Sequence, residues 1–265
     1  MTDGKIQVHG GIAYANHDGV ELSGDLYLPN DAKSAPALVA VHGGGWIAGT
    51  RTSFRYWGEH LAANGIALFT ISYRLASKAK TFPQAVHDVL AGVQFVRGKA
   101  HEFGIDPERI GLIGASAGGN LAALAALGGP KFANAYPQDA FASIPAAVKV
   151  LVGVYGVYDM TAAWTKSQVH EAHANKAEKF LGAPPMADRQ LYFDASPISY
   201  ATYANNKIAV FLATGTEDDV VDPAAQTQAF MLALKQAQFF VRPCILAGAP
   251  HFWMSDPIDE PASLT

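Results

Sequence analysis

Short apolar runs recur along the chain at Ala37–Val41, Ile66–Ser72, Arg109–Ile113, Val148–Tyr155, Ile208–Thr214 and Phe239–Leu246. Several are apolar almost throughout, the pattern of central parallel strands covered on both faces. Ahead of them, Gly11–Ala15 and Glu21–Leu28 flank Asn16-His17-Asp18-Gly19, whose Asp-Gly pair is a hairpin signal. Helix patterns lie between the runs. Phe82–Val96 sets Phe82, Val86, Val89, Leu90, Val93 and Val96 on one side, near the helical period. Ala117–Leu127 is almost all Ala, Leu and Gly, which suits a helix packed inside. Pro223–Lys235 starts with Pro in its first turn, with Asp222 placed to cap it. Strands alternating with helices after an antiparallel start predict an α/β fold. Its sheet is mostly parallel and doubly wound, with an antiparallel N-terminal hairpin.

No repeat, linker or like-charge block divides the chain, so residues 1–265 read as a single domain. The stretch 157–206, after the sixth strand, is long for a connection. It holds Trp164, Phe180, Tyr192, Phe193, Tyr200 and Tyr203, with a helix pattern over Lys166–Leu181. This reads as a small cap-like insertion over one edge of the sheet's carboxyl end, where open α/β sheets bind ligands.

Charge narrows the partners. Nineteen Lys and Arg against 23 Asp and Glu leave a net charge of −4 with no basic cluster, which argues against nucleic acid. A lone cysteine, Cys244, excludes an internal disulfide and any zinc site built on several cysteines; in its apolar strand it reads as a packing residue. Every apolar run stops short of the roughly 18 residues needed to span a bilayer. The start, MTDGKIQVHGG, lacks the basic and apolar regions of a signal peptide. The expectation is a cytoplasmic chain with no membrane partner. His170 and His173 share a helix face, but no third ligand stands near them, so neither a metal nor another cofactor is expected.

Two motifs carry chemistry. Gly114-Ala115-Ser116-Ala117-Gly118 is a G-x-S-x-G run directly after the strand Arg109–Ile113 and before the Ala-rich helix. That strand–turn–helix context is the one a nucleophile elbow requires. Its bland alternative is a small-residue turn with an ordinary serine. His42-Gly43-Gly44-Gly45-Trp46 follows the strand Ala37–Val41. It lacks the lysine of a P-loop and the spacing of a dinucleotide fingerprint. Consecutive glycines do let backbone N–H groups converge on a developing oxyanion, as in HGGG loops. His42, at the buried end of a strand, reads as an anchor of this loop. His87 and Asp88, inside an amphipathic helix, read as structural contacts.

With HGGGW, GASAGGNLAALAAL and FPQAVHDVLAGVQFV…FGIDPERIGLIG in view, the chain resembles α/β-hydrolases of the hormone-sensitive-lipase-like carboxylesterase group over roughly residues 20–255. The resemblance implies the α/β-hydrolase fold and a triad in the order Ser, acid, His. Gly215-Thr216-Glu217-Asp218-Asp219-Val220-Val221 is similar to the family's G-x-x-D-x-x-V pattern, which lands on Asp218, with Asp219 as the rival and Glu217 behind it. Only His251 follows that acid, which makes it the base of Ser116. Backbone N–H groups of Gly44, Gly45 and Ala117 would receive the oxyanion, and Trp46, Tyr155 and Phe252 would touch substrate. The implied activity is hydrolysis of small acyl or aryl esters through an acyl-enzyme, with acetyl or hydroxycinnamoyl esters of plant carbohydrate among the candidates. The other readings are an amidase, such as an arylformamidase-like enzyme, and a non-catalytic receptor on the same fold.

Two departures from the group stand out: there is no N-terminal helical cap, and Asp256-Pro257 through Pro261 disfavour a closing helix after His251. The missing helix would leave an apolar strip exposed, which fits a homodimer contact, a loosened edge or a chain cut short.

Overall fold

The computed structural model describes residues 6–133, 135–170 and 175–254. Asp18 and Gly19 form the first turn, both with positive φ (54° and 79°) as a type I′ hairpin requires. It joins β1 (Ile6–His17) to β2 (Val20–Pro29). The turn is tighter than the pattern suggested, because Asn16 and His17 are already paired with Glu21 and Val20.

The remaining strands are β3 (Ala35–Val41), β4 (Ala67–Ile71), β5 (Ile105–Ala115), β6 (Val150–Val154), β7 (Ala209–Gly215) and β8 (Phe240–Leu246). They form one eight-stranded sheet in the order β1-β2-β4-β3-β5-β6-β7-β8. β2 meets β1 and β4 antiparallel; every other pairing is parallel. Val39, Leu112, Leu151 and Leu212, from four central strands, are fully buried, which is why those runs carry no polar alternation.

The helices are α1 (Arg55–Ala63), α2 (Gln84–Gly98), α3 (Ala100–Phe103), α4 (Ala117–Phe132), α5 (Met160–His170), α6 (Lys176–Leu181), α7 (Arg189–Asp194) and α8 (Ala229–Gln236). α1 has no counterpart in the sequence pattern. Its buried positions are Gly58 and Ala62 rather than large apolar residues, and a Cβ at Gly58 would lie 2.5 Å from the Tyr27 ring. Close approach has replaced hydrophobic periodicity there. The Asp222 carboxylate accepts from the N–H groups of Ala224 and Ala225, as a cap should, and the helix opens in a π-type turn over Ala224–Gln228 before α8.

The single helix expected over Lys166–Leu181 is corrected to two. α5 begins earlier, and α6 restarts after Asn175, whose Oδ1 accepts from the N–H groups of Ala177 and Glu178. The two are tied together by Trp164 Nε1, which donates to Glu178 at 2.6 Å. His173 and the stretch from Asp256 to Pro261 lie outside the described residues, and His170 is described in its backbone alone. No helix among the described residues is long and apolar enough to cross a membrane.

Candidate active site

β5 ends at Ala115 and α4 begins at Ala117, so Ser116 alone makes the turn between them. Its φ of 55° and ψ of −122° lie outside the ordinary regions for an L-residue, the strained backbone that thrusts an elbow serine outward. The crossing is tight enough to forbid side chains beside it. A Cβ at Gly118 would lie 2.1 Å from the Val41 carbonyl oxygen, and one at Gly114 would lie 2.2 Å from that of Gly118.

The loop His42–Trp46 packs against this turn. A Cβ at Gly43 would stand 3.3 Å from the Ser116 Cβ, so the glycine run is in contact with the serine. Gly44, at φ 116°, curls the loop back; Ile47 and Ala48 both donate to its carbonyl, and a Cβ there would strike Ala48 O at 2.2 Å. His42 anchors the loop from below. Its ring is buried, stacks on Tyr73 at 4.4 Å, and its Nδ1–H donates to the Gly43 carbonyl at 2.7 Å. Burial holds the His42 pKa below the ordinary histidine value, which keeps the ring neutral.

Two further loops arrive from the carboxyl ends of β7 and β8. The structure brings Asp218 and His251 to Ser116: His251 Nδ1 lies 2.7 Å from Asp218 Oδ2, and its Nε2 lies 3.0 Å from Ser116 Oγ. An ionised carboxylate only accepts, so Nδ1 carries the proton and Nε2 offers its lone pair to the serine hydroxyl. The other oxygen of Asp218 accepts from the N–H groups of Val220 and Val221. Asp218 and His251 are both buried, whereas Asp219 and Glu217 are exposed, so among the three acids only Asp218 meets the histidine. The loops that carry Asp218 and His251 also hold each other. Gly248 N–H donates to Thr216 Oγ1, and Glu217 N–H donates to the Ala249 carbonyl.

Ala117 is buried at the first position of α4, Gly45 is half-buried and Gly44 is exposed. Tyr155, buried at the end of β6 with φ 37°, sets its ring 4.5 Å from that of His251. Phe252 is 65% exposed and meets the His251 ring edge-on. Trp46 occupies a place different from the one expected of a substrate contact. Its indole is buried, lies parallel to Phe180 at 5.0 Å, and its N–H donates to Asn120. The insertion's aromatics are likewise spent largely on its own packing: Phe180 and Tyr192 are buried, while Phe193 and Tyr203 are exposed.

Two residues that place the site gave no signal in the sequence. Asn120, fully buried, accepts from Trp46 and donates to the Ala195 carbonyl, linking the glycine loop, α4 and the insertion. Gln226 accepts from the N–H groups of Tyr158 and Asp159 and donates to the Asp159 carbonyl, fixing where the insertion departs. An amide in a helix pattern reads as surface; only a tertiary gap makes it a bracket. No group of three or more His, Cys, Asp or Glu among the described residues is placed to hold a metal ion.

This sheet order, with a strained serine between a parallel strand and its helix, defines an α/β-hydrolase fold. The chain belongs to the BD-FAE family, whose model matches residues 24–234. It is 31% identical over 252 residues to the probable carboxylic ester hydrolase LipM of Mycobacterium tuberculosis, covering 94% of this chain and 54% of that protein. It is 34% identical over 207 residues to the esterase LipQ of the same organism, covering 77% and 47%. The chain therefore spans about half the length of the curated relatives it matches. Among solved structures, a thermophilic esterase of Thermogutta terrifontis superposes with a TM-score of 0.77 at 23% identity, over 99% of this chain and 88% of that one. That match speaks for the fold.

Proposed function

We propose that the chain is a serine carboxylesterase acting on small acyl or aryl esters through an acyl-enzyme. The observation that carries this reading is the continuous relay from Asp218 through His251 to Ser116, at 2.7 and 3.0 Å. Serine is a weak nucleophile at its own pKa and needs an adjacent base. His251 accepts the hydroxyl proton as Oγ attacks the ester carbonyl, and Asp218 holds the imidazole in the working tautomer and stabilises the imidazolium. The N–H groups of Gly44, Gly45 and Ala117 receive the oxyanion, each such donor being worth about 3 kcal/mol of barrier. The alcohol leaves with the proton from His251. Water, activated by the same base, then releases the acid.

The preference for small acyl or aryl groups rests on the setting. Trp46 is closed off by Phe180 and Tyr155 is buried beneath His251, which leaves exposed Phe252, edge-on to His251, as the aromatic surface nearest the reaction. The relatives named as esterases support the same reaction class. A chain-length series of p-nitrophenyl esters, run beside a matched anilide, tests the reading. The expected profile peaks at short acyl chains and disappears in Ser116→Ala. A peak at long acyl chains, or an anilide cleaved faster than its ester, would overturn it.

A further inference from the structure

Between α4 and β6 the chain runs as an irregular strap over residues 135–147, and its fastenings all lie on one side. Asp139 bonds to His17 on the hairpin, and Gln94 on α2 donates to the carbonyls of Ala142 and Ile144. Arg97, at the end of α2, donates to those of Pro145 and Ala147. No hydrogen bond of the strap reaches α4 among the described residues. Between strap, α2 and α4 lies a cavity of about 470 Å³, within the range of drug-sized ligand pockets.

Its walls are apolar: Leu90 and Ala91 from α2, Ala126 from α4, and Ile144, Val148 and Ile208 across from them. Two of its lining residues carry full charge. Asp139 is ion-paired with His17, which it shares with Asp88. Lys207 is exposed and has no carboxylate partner among the described residues. Val150 pairs with Ala209, so the chain just before each strand sets Lys207 beside Val148, at the end of the cavity where Arg97 holds the strap. His87, also in the lining, has its pKa lowered by burial and adds no charge near neutrality. The cavity is thus a largely apolar slot in which Lys207 is the one charged lining residue without a carboxylate partner among the described residues.

We propose that this cavity is a second ligand site, taking a compact apolar carboxylate whose body lies between α2 and α4 and whose head group pairs with Lys207. It is separate from the serine. Ala126 stands ten residues beyond Ser116 on the same helix, about 15 Å at the helical rise.

Calorimetric titration of the full chain with 4-phenylbutyrate, and with 4-phenylbutanol as its uncharged counterpart, tests the site. The acid is expected to bind saturably at one equivalent and the alcohol about tenfold more weakly, the loss of roughly one charge-assisted hydrogen bond. Lys207→Gln removes that difference. Ala126→Trp fills the slot and abolishes binding while p-nitrophenyl ester turnover is kept. Ser143→Trp, at an exposed position on the strap's cavity side, serves the same purpose should the α4 variant fail to fold. Absence of saturable binding, equal affinity for acid and alcohol, or binding unchanged in both tryptophan variants would overturn the proposal. Because the readout is binding, a chain without ester turnover that still takes up the acid would leave this site standing and remove only the esterase reading.

Discussion

The indole of Trp46 lies flat on the ring of Phe180, 5.0 Å between centroids and 8° from parallel. One ring belongs to the glycine loop and the other to the insertion, so the contact clamps the proposed oxyanion donors to a segment more than a hundred residues away in sequence. Trp46→Ala removes the stack and the bond to Asn120 together. It is expected to cost about 3–5 kcal/mol in stability and to lower kcat, since the loop loses its backing. Trp46→Phe keeps an aromatic face and forfeits the hydrogen bond, about 1 kcal/mol. Urea unfolding with parallel kinetics checks both. Equal stability of the two variants would show that the stack contributes nothing.

Asp218 and Asp219 are adjacent in sequence, yet only the first meets His251. Asp218→Asn is expected to lower kcat by about 10⁴-fold, through loss of the correct imidazole tautomer. Asp219→Asn, at an exposed carboxylate, is expected to leave kcat within about twofold and stability within ~0.5 kcal/mol. The reverse ranking would reassign the acid.

The elbow glycines separate steric need from helix propensity. Gly118→Ala forces a Cβ to 2.1 Å from a backbone carbonyl that has no room to give, so this variant is expected to lose most of its folded protein. Gly129→Ala lies on the same helix, with its nearest neighbour, Leu90 Cδ2, at 3.8 Å. Pro130 follows it and disfavours the helical conformation for a residue that carries a Cβ. This offsets the ordinary helix gain of about 0.5–1 kcal/mol, so this variant is expected to stay folded with a stability near the parent's. Soluble yield and thermal midpoints distinguish them.

A buried charge network fixes the sign of one pH effect. His17, fully buried, lies 2.7 Å from Asp88 through Nδ1 and 2.7 Å from Asp139 through Nε2, so both ring nitrogens donate and the ring is an imidazolium. Burial opposes that charge, but the two carboxylates outweigh it and the pKa is raised. A raised folded-state pKa contributes stability that is complete below the unfolded value of about 6.5 and is lost as pH rises through the folded one. His17→Gln is therefore expected to match the parent most closely at alkaline pH and to fall furthest behind it near pH ~6. Buried His42 and half-buried His87, whose pKa values are lowered, act with the opposite sign. His42 does so equally in both proteins, whereas His87 is held down in part by the His17 charge, so His17→Gln also relaxes part of the His87 effect.

The fold was legible because its signals are local. Central strands such as Ala37–Val41 announce themselves by burial on both faces, and Gly114–Gly118 is constrained by one crossing of strand and helix. Ser116 followed from that G-x-S-x-G run and its strand–turn–helix setting, and His251 from order along the chain. What stayed hidden depends on contacts between distant segments. Trp46 read as a substrate contact because it follows the glycines, and nothing nearby in sequence shows that Phe180 covers it. α1 was invisible because Gly58 packs by proximity to Tyr27 rather than by bulk. Asn120 and Gln226 became brackets only once the insertion returned to meet them.

The bonds between Thr216 and Gly248, and between Glu217 and Ala249, join the loop of Asp218 to the loop of His251. Asp218 and His251 are thereby braced against each other, while Ser116, on the turn between β5 and α4, is joined to the pair by the 3.0 Å hydrogen bond to His251. Remodelling of either loop is expected to disturb both residues together relative to the serine. The joint of the proposed relay lies between His251 and Ser116, and an engineer transplanting these loops would have to move both as a unit.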